Sequence, residues 1–249
     1  MRVSNEQGAN NREEPTMVTL ENINKIYNEG TSQAFEALKS IDIQINEGET
    51  VVLSGVSGSG KSTLLSLIAG LDKPSSGKII VAGELISKLP DLHASDYRAK
   101  TVGVIFQHFN LLEALSVEEN VMVPLINTGA NLSTIKEMTQ RSMTLASITH
   151  KANAEVKSLS GGEKQRCAIA RALVHEPKLI LCDEPTANLD RDNALKFIEI
   201  LHSLHDMGKT IVVATHDPLF EGLSFVSKVI HMEDGKIIES AGADHYAHP

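Results

Sequence analysis

The chain has 249 residues, which suits one α/β domain, alone or with an inserted helical sub-domain. Its formal net charge of −9 argues against a protein that binds nucleic acid through a basic surface. No window approaches the roughly 18 consecutive apolar residues of a membrane-spanning helix, so action at a membrane would require a membrane-embedded partner.

The first part of the chain predicts strands interrupted by one helix. Residues 1–16 are polar, lack the apolar stretch of a signal peptide and predict a disordered tail. Strands are predicted over residues 17–27, 41–45, 50–56 and 78–83. A helix is predicted over residues 61–69, because its leucines and isoleucine recur at helical spacing and Gly70 follows as a stop signal.

The middle of the chain, from about residue 96 to residue 160, predicts a mainly helical sub-domain. A short strand is predicted over residues 101–107, and helices are predicted over residues 118–126 and 134–148. The second of these helices has its apolar residues on one side, and Thr134 with Glu137 predicts a capping box at its start.

Alternation of helices and strands resumes at Ser160, which is typical of an α/β fold. Helices are predicted over residues 163–174 and 193–206, and buried strands over residues 179–183 and 210–215. A hairpin is predicted over residues 228–240 with its turn at Asp234-Gly235, and residues 241–249 predict a loose tail.

The most specific motif is Gly55-Val-Ser-Gly-Ser-Gly60-Lys61-Ser62, which lies between a predicted strand and a predicted helix. This spacing and context are those of a phosphate loop, whose backbone N–H groups and helix N-terminus surround phosphate oxygens. Lys61 is expected to reach the β- and γ-phosphates, and the Ser62 hydroxyl is expected to ligate Mg²⁺. The predicted nucleotide-binding residues of this segment are Gly55, Ser57, Gly58, Ser59, Gly60, Lys61, Ser62 and Thr63.

A second motif is the apolar run over residues 179–182 that ends in Asp183 and Glu184. A buried parallel strand that ends in carboxylates can deliver them to a phosphate site. Asp183 is predicted to hold Mg²⁺, and Glu184 to act as the general base that polarises the attacking water. Such a run is common by itself, and its weight comes from the phosphate loop about 120 residues upstream.

A third motif is Leu159-Ser160-Gly161-Gly162-Glu163-Lys164-Gln165-Arg166, about twenty residues before Asp183. Here the chain resembles the ABC (ATP-binding cassette) ATPases, whose signature is LSGG(E)xQR. A serine that caps a helix would account for Ser160 alone, but it does not account for the whole octet. The resemblance implies that Ser160, Gly161 and Gly162 bind the γ-phosphate held by the phosphate loop of a second copy, so that two ATP molecules lie inside a homodimer.

The resemblance covers residues 17–240 and implies a fold. This fold is an α/β P-loop NTPase with a RecA-like core, an N-terminal antiparallel β sub-domain and an inserted α-helical sub-domain at about residues 96–160. No position of the family pattern is degenerate, so both composite sites of the homodimer should be active.

Four further site residues are implied by the resemblance. Tyr27 matches the aromatic residue that stacks on adenine, although a core tyrosine is the alternative. Gln107 matches the glutamine that senses Mg²⁺ and water and connects the site to the membrane partner. His216 matches the histidine that contacts the γ-phosphate in catalysis. Asp190 ends the segment that touches the phosphate loop of the opposite cassette.

Two segments, residues 70–79 and 185–190, resemble one branch of the family. This branch includes the cassettes of macrolide exporters, of lipoprotein-releasing complexes and of cell division. It implies permease partners with large periplasmic domains, and a peripheral location at the cytoplasmic face of the bacterial inner membrane. The permease is expected to dock beside Gln107 on residues 108–121, unless the leucines of this segment pack inside the helical sub-domain.

Three functions are compatible with the cassette. The leading one is the ATPase subunit of a transporter that exports or extracts its cargo through a mechanical stroke. A second is a mechanical regulator of a periplasmic or cell-envelope process. A third is a soluble ABC ATPase acting on DNA or ribosomes, which the acidic charge and the short stretch between Gln107 and Ser160 disfavour. An unrelated nucleotide kinase would not need the LSGGEKQR octet.

Overall fold

The computed structural model describes residues 15–126 and 128–242, whose strands form two sheets. In chain order the strands are β1 (Thr16–Tyr27), β2 (Phe35–Asn46), β3 (Thr50–Ser54), β4 (Ser76–Val81), β5 (Glu84–Leu85), β6 (Val102–Ile105), β7 (Leu179–Asp183), β8 (Thr210–Thr215), β9 (Lys228–Glu233) and β10 (Lys236–Gly242). The helices are α1 (Lys61–Ile68), α2 (Asp91–Thr101), α3 (Val117–Met122), α4 (Leu132–Leu145), α5 (Gly161–Leu173) and α6 (Arg191–Asp206). Short 3₁₀ turns cover Val123–Leu125, Thr149–Lys151, Val156–Ser158 and Pro218–Phe220.

The smaller sheet is antiparallel throughout, with the strand order β2-β1-β4-β5. Residues on one face of β1 and β2, including Val18, Leu20 and Ile43, are buried against the core. β2 begins at Phe35 and not near residue 41, because its pairing with β1 continues to the pair formed by Tyr27 and Phe35. This sheet confirms the N-terminal antiparallel part of the predicted fold.

The larger sheet has the order β10-β9-β3-β8-β7-β6 and is parallel except for the β9–β10 hairpin. All residues of β3 are buried, as expected for a central strand covered on both faces. Ser54 pairs with Thr215, and Asp183 pairs with Ala214, so the carboxyl ends of β3, β7 and β8 meet at one edge. The loops that follow these strands therefore converge there, which is where open α/β sheets bind their ligands.

Two apolar cores lie on the two faces of the larger sheet. One joins this sheet to the smaller sheet and α1, through residues such as Leu38, Leu64 and Val212. The other lies under α3 to α6 and contains Met143 and Phe197 among others. The helical part of the chain is thus attached to the sheet by the same core that holds α5 and α6.

Helix α2 was not predicted from the sequence. It buries only Ala94 and Tyr97, and most of its other residues are exposed or polar, so it has no apolar stripe to detect. Its position depends on Tyr97, whose hydroxyl donates a hydrogen bond of 2.7 Å to the carbonyl of Ile68. Burial raises the pKa of this hydroxyl, which therefore stays protonated and able to donate.

The middle region differs from the prediction in two details. The predicted capping box of Thr134 and Glu137 is wrong, because α4 begins earlier and Asn131 caps it by accepting a hydrogen bond of 2.9 Å from the Thr134 amide. Glu137 instead pairs with Arg141 one turn later. The strand predicted over residues 101–107 is β6, which belongs to the larger sheet although it lies inside the expected helical sub-domain of about 96–160. Helix α2 ends directly before β6, and the next helix begins at Val117.

The predicted tails lie largely outside the described residues. Of residues 1–16, only Pro15 and Thr16 are described, and Thr16 already starts β1. Of residues 241–249, the first two complete β10. Among the helices of the described ranges, none has the length and apolar character needed to cross a membrane.

Candidate active site

The phosphate loop connects β3 to α1 and wraps around the side chain of Lys61. The Lys61 ammonium donates hydrogen bonds to the carbonyl of Gly55 at 2.6 Å and to the carbonyl of Val56 at 3.1 Å, and only 4% of the residue is exposed. Gly60 precedes α1 with a φ of 103°, and a Cβ there would lie 2.9 Å from the carbonyl oxygen of Ala37. Glycine is therefore required at this position for both conformation and space.

Ser62 and Asp183 are adjacent at the start of α1 and the end of β7. The Ser62 hydroxyl donates a hydrogen bond of 2.7 Å to a carboxylate oxygen of Asp183. Burial raises the pKa of Asp183, and the neighbouring Glu184 carboxylate adds to this increase. A hydroxyl and a carboxylate beside a phosphate loop are hard oxygen donors, which suit Mg²⁺ when phosphate oxygens and water complete its shell. The described residues contain no cluster of acidic, histidine or cysteine side chains able to hold a metal without such help.

Glu184 follows Asp183 and turns its side chain into the cleft. Its φ is 43°, and its amide donates to the carbonyl of Ala214, which holds this left-handed turn against β8. One carboxylate oxygen lies 3.5 Å from the Lys61 ammonium, and the other lies 2.9 Å from Nδ1 of His216. Glu184 is thus placed between the ammonium of the phosphate loop and a histidine, as a general base for phosphoryl transfer would be.

A hydrogen-bonded network joins the loops that carry Glu184 and His216. The Thr186 hydroxyl donates to the Asp217 carboxylate at 2.9 Å, and the Asp217 amide donates to the Thr215 hydroxyl at 3.0 Å. From α5, the side-chain amide of Gln165 donates to the carbonyl of Pro185 at 3.0 Å. Thr186 and Asp217 carry no motif and meet only because β7 and β8 are adjacent, and Gln165 reaches Pro185 only because α5 packs beside this loop.

A cleft of about 300 Å³ lies over the phosphate loop. It brings together most of the predicted site residues, and two residues that were not predicted, Phe35 and Ala37. The lining residues are Phe35, Ala37, Ser57, Gly58, Ser59, Gly60, Lys61, Ser62, Thr63, Gln107, Glu184 and His216. Phe35 and Ala37 carry no motif, and their place in the cleft follows from the course of β2 past the phosphate loop.

Tyr27 lies at the end of β1, directly opposite Phe35, and is not among the residues that line this cleft. The tyrosine is 37% exposed, its hydroxyl donates to Asp72 at 3.2 Å, and the Lys25 ammonium lies 4.7 Å from its ring centroid. An exposed ring at this edge is compatible with base stacking, which stays a prediction for Tyr27.

The signature segment begins α5 and lies outside the cleft of its own chain. Ser160 caps the helix in a capping box, in which a Glu163 carboxylate oxygen accepts from the Ser160 amide at 2.8 Å and from its hydroxyl at 2.9 Å. Hydrogen bonding to the Ser160 amide, followed by the interaction with Lys151, lowers the pKa of Glu163 to about 2. Ser160 therefore caps α5 in the single chain, as the alternative explanation for this residue supposed, and it lies at an exposed surface that a second chain could approach.

The two signature glycines lie against the segment that contains Asp190. A Cβ on Gly162 would lie 2.8 Å from the Asn193 side chain, whereas one on Gly161 would meet only the Asn188 carbonyl oxygen at 3.7 Å. Asp190 caps α6 by accepting from the Asn193 amide at 2.9 Å. The residues predicted to contact a second chain therefore lie together on one surface, and none of them lines the cleft over the phosphate loop. These residues are Ser160, Gly161, Gly162 and Asp190.

The segment after Gln107 forms a turn that is fixed from α5. Phe109 and Asn110 have φ of 59° and 49°, and the Arg171 guanidinium donates to their carbonyls at 2.6 and 2.5 Å. Leu112 is exposed, while Leu111 packs against the core. The predicted docking segment therefore contains both kinds of leucine. Leu111 packs inside the chain, as the alternative supposed, and Leu112 is exposed.

A larger cavity of about 820 Å³ lies elsewhere, between α4 and the C-terminal ends of α5 and α6. Its lining is mainly apolar, and it includes Arg141 together with its ion-pair partners Glu137 and Glu176. It contains neither the phosphate loop nor the acidic strand end, so the smaller cleft is the candidate active site.

Comparisons with known proteins found relatives that match most of this chain. The sequence model of the family described as ABC transporter matches residues 38–187. The lipoprotein-releasing system ATP-binding protein LolD of Pseudoalteromonas translucida is 37% identical over 222 residues, covering 89% of this chain and 94% of that protein. The macrolide export ATP-binding/permease protein MacB of Hyphomonas neptunium is 36% identical over 228 residues, covering 92% of this chain but 35% of that protein. The dimeric post-hydrolysis structure of the ATP-binding cassette MJ0796 with ADP and Pi is 36% identical and covers 91% of this chain and 98% of that one, with a TM-score of 0.83.

Proposed function

Because the chain belongs to the ABC transporter family and is an ATP-binding cassette with ATPase activity, we propose that two copies close around two ATP molecules and drive a membrane permease. The stroke exports a substrate or extracts it from the membrane. The permease subunits carry large periplasmic domains, and the cassettes are peripheral at the cytoplasmic face of the bacterial inner membrane.

One observation carries the dimeric mechanism. The cleft of a single chain contains Lys61, Ser62, Glu184 and His216, whereas Ser160 lies on another surface. The γ-phosphate at Lys61 therefore needs a second copy to supply Ser160 and its helix N-terminus, which favours anions. The solved MJ0796 cassette, which is dimeric and holds ADP and Pi, supports this arrangement.

In ATP hydrolysis, different residues of the cleft bind the phosphates, hold Mg²⁺ and activate the attacking water. The backbone amides of the phosphate loop and Lys61 bind the phosphates, and phosphate oxygens replace the carbonyls that Lys61 contacts in the free chain. Ser62 and Asp183 would hold Mg²⁺, which when bound neutralises charge on the β- and γ-phosphates. Glu184 accepts a hydrogen bond from the attacking water, which forms the new P–O bond as the bond to ADP breaks. His216 fixes the Glu184 carboxylate and reaches the γ-phosphate.

The permease partner is proposed from two relatives. MacB is named for an ATP-binding and a permease function, and this chain covers 35% of it. LolD, which this chain matches over 94% of its length, is named as the ATP-binding protein of a lipoprotein-releasing system. We place the permease contact on residues 108–121, where Arg171 fixes the backbone after Gln107 and Leu112 is exposed.

Replacement of the general base tests the proposal. Glu184→Gln keeps the shape and the contact with His216 but removes the charge that polarises water, so turnover should fall at least about 100-fold. The variant should still bind ATP and should elute as a dimer in its presence, as measured by light scattering after gel filtration. The matched control is Glu199→Gln, which changes an exposed glutamate on α6. ATPase activity of Glu184→Gln equal to that of the control would disprove the role of Glu184.

A further inference from the structure

Glu184 reaches the cleft through a backbone conformation that is unfavourable for a glutamate. Its φ of 43° lies in the left-handed region, which residues other than glycine rarely adopt. Such a conformation costs free energy and persists only where the surrounding groups fix it. The contacts that fix this turn therefore decide where the Glu184 carboxylate points.

Two hydrogen bonds hold the start of this turn through its backbone. The Glu184 amide donates to the Ala214 carbonyl at 2.8 Å, which joins the turn to β8. The Gln165 side-chain amide donates to the Pro185 carbonyl at 3.0 Å, which joins the turn to α5. Because both bonds act on the first two residues of the turn, the part that follows needs a support of its own.

Thr186 supplies that support from inside the protein. It is 7% exposed, and its hydroxyl donates to one carboxylate oxygen of Asp217 at 2.9 Å. The other carboxylate oxygen accepts from the Leu219 amide at 3.0 Å, so the Asp217 side chain is itself held at both oxygens. Thr186 follows Glu184 by two residues and Asp217 directly follows His216. The bond between them, which we call the Thr186–Asp217 clamp, thus ties the turn of the base to the loop of the histidine.

The backbone of Asp217 also acts on the Glu184 side chain, through Thr215. The Asp217 amide donates to the Thr215 hydroxyl at 3.0 Å, and this hydroxyl donates at 3.4 Å to the Glu184 carboxylate oxygen that His216 contacts. The amide occupies a lone pair of the hydroxyl, so the hydroxyl proton is free to point at the carboxylate. Thr215 is 1% exposed, whereas 63% of the His216 side chain is exposed, so the threonine contact is the one shielded from solvent.

We propose that Thr186 and Asp217 are positioning residues for ATP hydrolysis, which hold the left-handed turn so that Glu184 faces the attacking water. The proposal rests on the proposed role of Glu184 as general base and adds the groups that aim it. Neither Thr186 nor Asp217 is among the residues that line the cleft, so both act through Glu184 and not on the nucleotide. A displacement of about 1 Å in a reacting group can lower the rate about 100-fold. Loss of the clamp therefore slows catalysis and leaves nucleotide binding unchanged.

Substitution of Thr186 tests the clamp in the full chain. Thr186→Val keeps the branched shape and removes the hydroxyl, so kcat for ATP hydrolysis should fall about 10- to 100-fold while KM and the affinity for ADP stay unchanged. Thr186→Ser restores the hydroxyl and should recover most of the rate. Asp217→Asn should also lower kcat, because asparagine has one acceptor oxygen and can keep only one of the two hydrogen bonds.

The matched control is Thr139→Val, the same change at a fully buried position on α4. The Thr139 hydroxyl has no hydrogen-bond partner among the described residues, so this variant should keep the wild-type kcat. Wild-type kcat in Thr186→Val would overturn the proposal. A serine variant as slow as the valine variant would overturn it as well, because the hydroxyl would then not be the group that matters.

A second background separates positioning of the base from a general loss of structure. In Glu184→Ala the carboxylate that the clamp aims is absent, so adding Thr186→Val should change the residual single-turnover rate by less than about twofold. A loss in this background as large as the loss in the wild-type background would overturn the proposal. Wild-type activity of Glu184→Ala would overturn the role of Glu184 itself, and the clamp with it, which is a result distinct from the others.

Discussion

At the scale of single residues, Asp183 shows how function opposes stability in this site. Its carboxylate lies at the end of a buried strand, and burial raises its pKa above the ordinary value of 3.8. Among the described contacts, the one hydrogen bond that this carboxylate accepts comes from the Ser62 hydroxyl. In the proposed mechanism the ionised form of Asp183 binds the cation, and burial of that charge destabilises the free chain.

Asp183→Asn should therefore stabilise the free chain while lowering the rate of Mg²⁺-dependent hydrolysis. A carboxyl with a raised pKa in the folded chain stabilises it below pH 3.8, and this stabilisation is lost as pH rises through the folded value. Asparagine keeps an oxygen for Ser62 but carries no charge. We expect the Tm of the variant to exceed that of the wild type by about 2 °C at pH 7, and the difference to shrink towards pH 4.

Thermal unfolding from pH 4 to pH 8, without nucleotide or Mg²⁺, measures this difference. Parallel ATPase assays should show activity reduced by at least about tenfold. Identical Tm values for the two proteins across the whole range would contradict the prediction, since burial of Asp183 would then have no effect on folding.

The sequence indicated which residues line the cleft where they lie in contiguous motifs. Lys61 and Ser62 stand in the phosphate loop, and Glu184 follows a recognisable apolar strand, so their types and order were sufficient. Phe35 and the Thr186–Asp217 pair could not be predicted in this way. Their roles depend on strand pairing between distant segments, which no local pattern records.

At the scale of elements, the start of α5 combines a helix cap with the signature segment. The Glu163 carboxylate is held by the Ser160 amide and hydroxyl and lies 3.0 Å from the Lys151 ammonium. A carboxylate in the first turn also interacts favourably with the helix dipole. These contacts lower its pKa to about 2, so the helix gains stability from Glu163 only while the side chain is ionised.

Glu163→Gln should lower the free energy of unfolding by about 0.5 kcal/mol at pH 7, because the amide keeps one hydrogen bond but loses the charge. The wild-type advantage is complete above the ordinary pKa of 4.5 and is lost as pH falls towards about 2. Urea unfolding at pH 7, 5 and 3.5 measures it, with Glu199→Gln as an exposed mid-helix control. An advantage that stays constant down to pH 3.5 would show that the charge of Glu163 plays no part.

Element boundaries were predictable where burial and capping agree. The strands of the larger sheet have long apolar runs, and their positions followed from the sequence. Helix α2 could not be predicted, because only Ala94 and Tyr97 are buried in it and two residues give no apolar periodicity. The start of α4 was misplaced because Asn131, three residues before Thr134, offers the cap that the structure uses.

At the scale of the whole molecule, the separation of Lys61 from Ser160 predicts complementation between two inactive variants. Lys61→Ala removes the phosphate contact, and Gly161→Asp places a carboxylate where the γ-phosphate of the other copy would lie. The Gly161 position accepts a Cβ without a close contact inside its own chain, so the fold should persist.

Each variant alone should hydrolyse ATP very slowly, whereas an equal mixture should recover up to about a quarter of the wild-type rate per chain. Half of the dimers are then mixed, and each mixed dimer has one intact site of two. The control pairs Gly161→Asp with a chain that carries both substitutions, a mixture that contains no intact signature segment. Absence of recovery in the first mixture would contradict a site shared between two chains.

The phosphate loop, the acidic strand end and the signature segment are each contiguous, so residue type and spacing were enough to indicate the family and to propose the chemistry of its site. Which of these groups lie in the same cleft depends on how the strands pack. Parallel pairing of β3, β8 and β7 brings Lys61, Glu184 and His216 to one edge. The pairing of β1 with β2 brings Phe35 opposite Tyr27, and the position of α5 leaves Ser160 outside its own cleft. These relations depend on contacts between segments far apart in the chain, and only the packed sheets fix them.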